Sequence, residues 1–242
     1  MSDIVCGIHA VRLALAEGQV KRLWLDERRK DRRIAELLAL AQKRGVTVSP
    51  SGHRELDRLA EGVRHQGVAA EVEGGAPRTE NQFEAWLDAA RDPLILVLDG
   101  VEDPRNLGAC LRAADGAGVD AVVLPRRRAA GLTPAARKTA AGAAESLPIF
   151  SVTNLARTLD VMGEAGIARL GAVLAPEATA PWKSDLTGSL AIILGAEETG
   201  LRRLTREKMD GLVALPMAGV VESLNVAVAC GVLLYEARRQ RG

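Results

Sequence analysis

Aromatic side chains are scarce in this chain: two Phe, three Trp and one Tyr among 242 residues. Proteins that hold single-stranded RNA by base stacking need platforms of such rings, and these are too few and too scattered to build one. Cysteine is equally thin. Cys6, Cys110 and Cys230 are odd in number and far apart, which excludes a disulfide framework and fits a reducing, cytoplasmic setting. His9, His53 and His65 are as widely spread. With no C-x-x-C and no Cys/His cluster in the sequence, no metal site is expected. The longest apolar runs are strand-sized, which excludes a membrane-spanning helix. The opening residues MSDIVCGIHAV lack the basic and long apolar regions of a secretion signal. Also missing are G-x-G-x-x-G after the first strand, G-x-x-x-x-G-K-[ST] and G-x-S-x-G. Their absence argues against a dinucleotide site, an NTPase loop and a serine-hydrolase elbow.

What is present is a chain that is 48% hydrophobic, long enough for one large domain or a large and a small one. Its net charge of +1 hides an asymmetry. Residues 1–70 carry 13 Lys and Arg against 9 Asp and Glu, a net of +4, and the remainder carries 19 against 22, a net of −3. A basic lobe fits a polyanionic partner, and it equally fits the solvated surface of a small domain.

Periodicity gives an α/β chain in two parts. In residues 1–72, GIHAVRLALAEG reads as a helix closed by Gly18, VKRLWLD as a strand, and RRIAELLALAQKRG as an amphipathic helix ending at Gly45. VTVSP, HRELDRLA and GVAAEVE follow as strand, helix and strand. Residues 73–81 lose periodicity, gather Gly and Pro, and read as a linker. From 82 to 242 strands and helices alternate: NQFEAWLDAARD, PLILVLDG, LGACLRAADGAG, AVVLP, PAARKTAAGAAES, IFSV, NLARTLDVMGEAG, RLGAVLA, SLAIILG, LVALP and a long C-terminal helix. That alternation predicts a parallel sheet with helices on both faces.

In open α/β sheets ligands bind beyond the carboxyl ends of the strands, and three polar stretches fall at such ends. In DPRNLGACLR, Asn106 reads as a helix cap and Arg112 as a surface charge or a site residue. In LGAEETGL, Gly195 and Gly200 permit tight turns and close backbone approach, and Glu197 is either a loop charge or a functional carboxylate. In LPMAGVVESLN, Ser223 opens the final helix, as a simple N-cap or as part of an N-terminal site, with Asn225 in the first turn.

Taken together, in this order and spanning roughly residues 94–240, DPRNLGACLRAA, ILGAEETGL and LPMAGVVESLNVAVA resemble the three signature motifs of the SPOUT class. The branch they resemble is the TrmH/SpoU family of RNA ribose 2′-O-methyltransferases. Through GIHAV and RHQGV the N-terminal part resembles the substrate-binding domain of the subgroup that modifies guanosine in the peptidyl-transferase P-loop hairpin of 23S ribosomal RNA. The resemblance implies an L30e-like N-terminal domain and a SPOUT catalytic domain with a deep trefoil knot. It also implies S-adenosyl-L-methionine as methyl donor without a metal, 23S ribosomal RNA rather than DNA or a membrane as partner, and a homodimer through the C-terminal domain. Position by position, Gly195, Leu215 and Leu224, with Met217 adjacent, match cofactor-contacting residues. Asn106, Arg112, Glu197, Ser223 and Asn225 match the polar set around the methyl acceptor. One departure is Glu198, where the family usually has glycine; a requirement for positive φ there would strain the turn.

A ribose hydroxyl attacking a sulfonium-bound methyl needs orientation and removal of a weakly acidic proton. Arginine stays protonated, so Arg112 reads as a stabiliser of developing negative charge, with Ser223, Asn225 and Glu197 orienting the hydroxyl or receiving its proton. The competing readings are a transfer-RNA 2′-O-methyltransferase, and a non-catalytic RNA-binding ribosome-assembly factor on the same fold.

Overall fold

The structure, a computed structural model, describes residues 2–242 except 17, 19, 30, 61–64 and 74–76. Contacts divide it into two units, Met1–Ala76 with Leu132–Ser146, and Pro77–Gly131 with Leu147–Gly242. The first opens on a strand that the sequence pattern does not announce, β1 (Ser2–Cys6). After it come α1 (Ile8–Ala16), β2 (Val20–Asp26), α2 (Arg32–Lys43), β3 (Thr47–Ser51), α3 (His53–Ala60) and β4 (Val68–Glu73). The four strands form one mixed sheet ordered β1-β4-β2-β3, with β4 antiparallel to β1 and β2. Alternate residues of β2 and β4, among them Leu23, Leu25, Val68 and Ala70, share a core with Ile34, Leu37 and Ala41 of α2. That is the apolar stripe read from the helix period. Asp31 accepts from the N–H groups of Arg33 and Ile34 to start α2, and Gly45 ends it at φ +66.

Of the expected linker, residues 74–76 lie outside the described residues, as does Arg64 of the RHQGV stretch. Thr79 already caps α4 (Glu80–Ala89) in a reciprocal box with Gln82. The chain continues through β5 (Leu94–Asp99), α5 (Pro104–Ala117) and β6 (Ala121–Pro125) into α6 (Pro134–Ala140) and α7 (Ala143–Ser146), which belong with the first unit. PAARKTAAGAAES is therefore two helices and not the single expected one. The break falls at Ala141, φ +54, and Gly142, φ +104. A Cβ on Gly142 would stand 2.6 Å from Leu13 Cδ1 of α1, so both conformation and packing require glycine. Across the break Arg137 Nη1 donates to Glu145 Oε1 at 2.7 Å, with both side chains buried.

β7 (Ile149–Val152), α8 (Leu155–Glu164), β8 (Ala168–Ala172), β9 (Leu190–Gly195), α9 (Arg203–Arg206), β10 (Gly211–Val213) and α10 (Val226–Arg241) complete the chain, with a 3-10 turn at Pro181–Lys183. The second sheet is parallel throughout, ordered β10-β8-β9-β5-β6-β7. All six residues of β5 are buried, as a continuous apolar run in a doubly covered strand should be. Phe83, Trp86 and Phe150 cluster at 5.2–5.9 Å, so half of the few aromatics serve this core. LVALP is shorter as a strand than its composition predicts: β10 stops at Val213, and residues 214–225 form an extended loop.

The histidines spread along the sequence are partly gathered by the fold, since His53 and His65 lie 4.6 Å apart with Asp57 beside them. His65 Nδ1 accepts from the N–H of Gly67 at 3.0 Å. Its proton is thereby placed on Nε2, 3.2 Å from Asp57 Oδ1. That arrangement is a hydrogen-bonded histidine holding a turn, with no lone pair left at Nε2 for a metal.

Candidate active site

In the second unit, β9 and β5 lie side by side although nearly a hundred residues separate them. Asp99 ends β5 with its side chain buried, and it ties down the loop that follows β9. The N–H of Arg202 donates to Asp99 Oδ2 at 3.1 Å, and Arg202 Nε donates to Asp99 Oδ1 at 2.5 Å. The sequence reading missed this pair, and the isolated Asp at the end of an apolar strand was its only signal. Within the loop, Ala196 and Gly200 exchange backbone hydrogen bonds of 3.1 and 2.9 Å. The turn is so tight that a Cβ on Gly195 would lie 2.1 Å from the carbonyl carbon of Gly200. Positive φ falls on Gly200, at +65, and not on Glu198. The conformational objection to Glu198 therefore disappears.

The three motifs meet in a chain of side-chain hydrogen bonds. Asn225, not Ser223, is the N-cap of α10: its Oδ1 accepts from the N–H of Ala227 at 2.9 Å. This bond leaves Asn225 Nδ2 to donate to Asn106 Oδ1, at 3.1 Å. With its oxygen engaged, Asn106 donates through Nδ2 to Glu197 Oε1 at 2.5 Å. One backbone N–H thus sets the amide orientation of both asparagines. Asn106 itself lies in the first turn of α5, whose cap is Asp103, accepting from Arg105 N–H at 2.7 Å. The expectation that Asn106 and Ser223 cap their helices is corrected on both counts. Each helix starts where Asp or Asn already satisfies an early N–H, which leaves Asn106 free to reach across.

Glu197 also lines a cavity of about 340 Å3 beyond the ends of β8, β9 and β10, together with Gly195, Leu215, Met217, Ser223 and Leu224. Leu194, Val213 and Val226 add apolar wall, and Glu198 and Arg206 add charge. Arg206 is paired with Glu177. Of the residues singled out from sequence, only Arg112 belongs neither to the cavity wall nor to the hydrogen-bonded chain. It is exposed on α5 and makes no side-chain hydrogen bond or ion pair with any described residue.

Beside this geometry stand the likenesses to known proteins. A model described as the SpoU rRNA Methylase family matches residues 93–235, and one described as RNA 2′-O ribose methyltransferase substrate binding matches residues 4–77. The chain belongs to the SpoU rRNA methylase family. A relative from Pectobacterium atrosepticum, named 23S rRNA (guanosine-2′-O-)-methyltransferase RlmB, is 48% identical with all of both chains covered. A relative of the same name from Pseudomonas putida is 51% identical over 98% of this chain and 96% of its own. Among solved structures, the SpoU methyltransferase AviRb from Streptomyces viridochromogenes, in complex with the cofactor AdoMet, superposes with a TM-score of 0.82. It is 26% identical and covers 99% of this chain and 90% of its own.

SpoU methylases use S-adenosyl-L-methionine, and the cavity here fits that molecule. Its volume lies in the range of small-ligand sites. Its apolar walls suit an adenine ring, and the Gly195–Gly200 turn brings backbone to the wall with no side chain between. Glu197 and Glu198 place carboxylates where a cationic sulfonium would be favoured.

Proposed function

We propose that this chain transfers the methyl group of S-adenosyl-L-methionine to the ribose 2′-hydroxyl of a guanosine in 23S ribosomal RNA. The site we favour is the peptidyl-transferase P-loop hairpin, modified in the cytoplasm during ribosome biogenesis. The observation that carries the reading is the Asn225–Asn106–Glu197 chain abutting the cavity. Full-length relatives bearing the 23S rRNA name support the substrate. Residues 1–72 act as the RNA-binding domain and residues 82–242 as the catalytic domain, with the C-terminal segment forming the knotted cofactor loop of the SPOUT class.

The cofactor supplies an activated methyl on a sulfonium whose departure needs no metal. Gly195, Leu215, Met217 and Leu224 hold it by backbone approach and apolar contact. Asn106, its amide orientation set from Asn225, positions the acceptor ribose. Glu197, whose Oε2 is left open when Oε1 takes the Asn106 amide, would accept the hydroxyl proton as the ribose oxygen takes the methyl and the sulfur keeps the electron pair of the broken bond. Ser223, on the same wall, orients the hydroxyl. Arg112 stabilises charge on the developing alkoxide or the adjoining phosphate. Two copies pair through the α5–α10 face, where Val228, Val232 and Tyr235 form an exposed strip at helical spacing.

The test is methylation of 23S ribosomal RNA fragments by the purified chain with labelled S-adenosyl-L-methionine, followed by nucleoside analysis and mapping of the ribose. The expected product is a single 2′-O-methylguanosine, formed equally well in EDTA. Methylated transfer RNA with unmodified 23S RNA would replace this reading with the transfer-RNA one. RNA binding without methylation would leave the assembly-factor reading.

A further inference from the structure

Six arginines of the second unit are ion-paired: Arg157 with Glu84, Arg169 with Asp210, Arg202 with Asp99, Arg203 with Glu207, Arg206 with Glu177 and Arg239 with Glu236. The turn leaving β6 is different. Arg126, Arg127 and Arg128 are consecutive and exposed, and none makes a side-chain hydrogen bond or ion pair with a described residue. Arg105, in the first turn of α5, is likewise exposed with its guanidinium unpaired.

This turn is held rigidly. The N–H of Arg126 donates to Val152 O at 2.8 Å, and the N–H of Ala130 donates to Val101 O at 2.8 Å. The second bond fastens it to the segment between β5 and α5, just ahead of Asn106. Arg128 takes φ +56, a region that side chains other than glycine seldom occupy. Its carbonyl oxygen lies 3.5 Å from where a Cβ on Gly100 would stand. A long, flexible cation ordinarily has no reason to sit in a strained and pinned backbone unless its position matters.

The strand order gives that position a direction. The cavity lies over β8, β9 and β10, the Asn106–Glu197 bond bridges the ends of β5 and β9, and the basic turn ends β6 on the far side of β5. Two strand spacings, about 10 Å, separate β9 from β6. A ribose presented to Asn106 and Glu197 therefore has the cofactor cavity on one side and the three unpaired arginines of the β6 turn on the other, with Arg105 next to Asn106 in the first turn of α5.

Resting on the function proposed above, we infer that Arg126, Arg127 and Arg128, with Arg105, form a docking surface for the phosphates of the RNA strand flanking the target nucleotide. Guanidinium groups bind phosphate through paired N–H donors. No aromatic ring lies in the turn, so its contribution is positional and independent of base identity. RNA affinity is then shared between the basic N-terminal segment and the catalytic unit.

The test uses the full chain with Arg126→Gln, Arg127→Gln and Arg128→Asn combined, Asn being chosen because it tolerates positive φ. Binding of a 23S hairpin fragment is measured from low to physiological salt, alongside S-adenosyl-L-methionine binding and steady-state methylation. Each lost single-strand phosphate contact lowers the slope of log K against log salt by about 0.7, so a decrease of about 2 is expected. The KM for RNA should rise at least tenfold, with kcat and S-adenosyl-L-methionine affinity within twofold of wild type. Should the triple variant misfold, Arg127→Gln, at an ordinary backbone position, must still lower the slope by about 0.7. A slope and KM equal to wild type overturn the docking surface while leaving the methylation reading intact. If the triple variant shows the expected slope change but the wild-type chain binds the fragment and never methylates it, the methylation reading alone is overturned.

Discussion

Asn225 Nδ2 donates to Asn106 Oδ1 at 3.1 Å, joining residues 119 positions apart. The same Asn225 caps α10, so one side chain both starts the final helix and orients the amide that reaches Glu197. Stability of the helix end and geometry of the site are thus coupled through a single residue. Removing a cap costs about 1 kcal/mol, whereas in the mechanism proposed above misorienting Asn106 would lower turnover.

We expect Asn106→Ala to lower kcat at least a hundredfold while S-adenosyl-L-methionine affinity stays within threefold. Asn106→Asp should be at least as damaging, because it sets a second carboxylate against Glu197. Asn225→Ala should lose both turnover and about 1 kcal/mol of stability. Single-turnover kinetics with calorimetric cofactor titration separate the two effects, and an Asn106→Ala enzyme with wild-type kcat would remove the network from the mechanism.

Gly195→Ala should abolish cofactor binding, since its Cβ would meet Gly200 backbone at 2.1 Å and overpacking of this kind costs about 1–3 kcal/mol. Glu198→Gly relieves no strain, because Glu198 is not at positive φ, and thermal melts should show no gain in stability.

The cysteines should be nearly inert in the native chain. Burial pushes the Cys6 thiol up to about 11. Cys230 is raised well above its ordinary value by its hydrogen bond with Cys110 and then by burial. Because Cys110 and Cys230 are fully buried, out of reach of the reagent, iodoacetamide at pH 8 should leave both unmodified until urea unfolds the chain. Cys6 should label about a hundredfold more slowly than a free thiol. Mass spectrometry of the digested protein reads all three.

Hydrogen bonds from Arg169 hold the Asp210 carboxyl below its ordinary value of 3.8, at bond lengths of 2.9 and 2.6 Å. A lowered folded-state value adds stability that is present above the unfolded value and lost as pH falls through the folded one. Asp210 is nearly half exposed, so screening limits the pair to about 1 kcal/mol or less. Asp210→Asn should lower Tm by about 2–4 °C at pH 7, and the difference should close as pH falls below 3.8 and through the lowered folded-state value. A gap that persists in acid would assign the loss to packing.

The α5–α10 face should hold two copies together. Val232→Asp places a charge in the exposed strip of Val228, Val232 and Tyr235 and should convert a dimer into monomers in sedimentation at micromolar concentration. A wild-type chain that is monomeric and fully active would refute the pairing.

Much of the local architecture was legible from residue pattern alone. The buried run of β5, the stripe of α2 and the Gly45 stop follow from hydrophobic period and glycine conformation, which act within a few residues. β1 was not legible, since a five-residue strand owes its existence to pairing with β4, some 70 positions away. Nor was the break between α6 and α7, which the close approach of Leu13 to Gly142 demands. The motifs around Asn106, Glu197 and Asn225 were visible as separate polar stretches at strand ends, and the family resemblance joined them. Which atom faces which was decided by the tertiary structure: β9 beside β5 brings Glu197 to Asn106, and the Ala227 N–H turns the Asn225 amide. Short-range propensity cannot encode such contacts, because their partners become neighbours only after the parallel sheet has set its strand order.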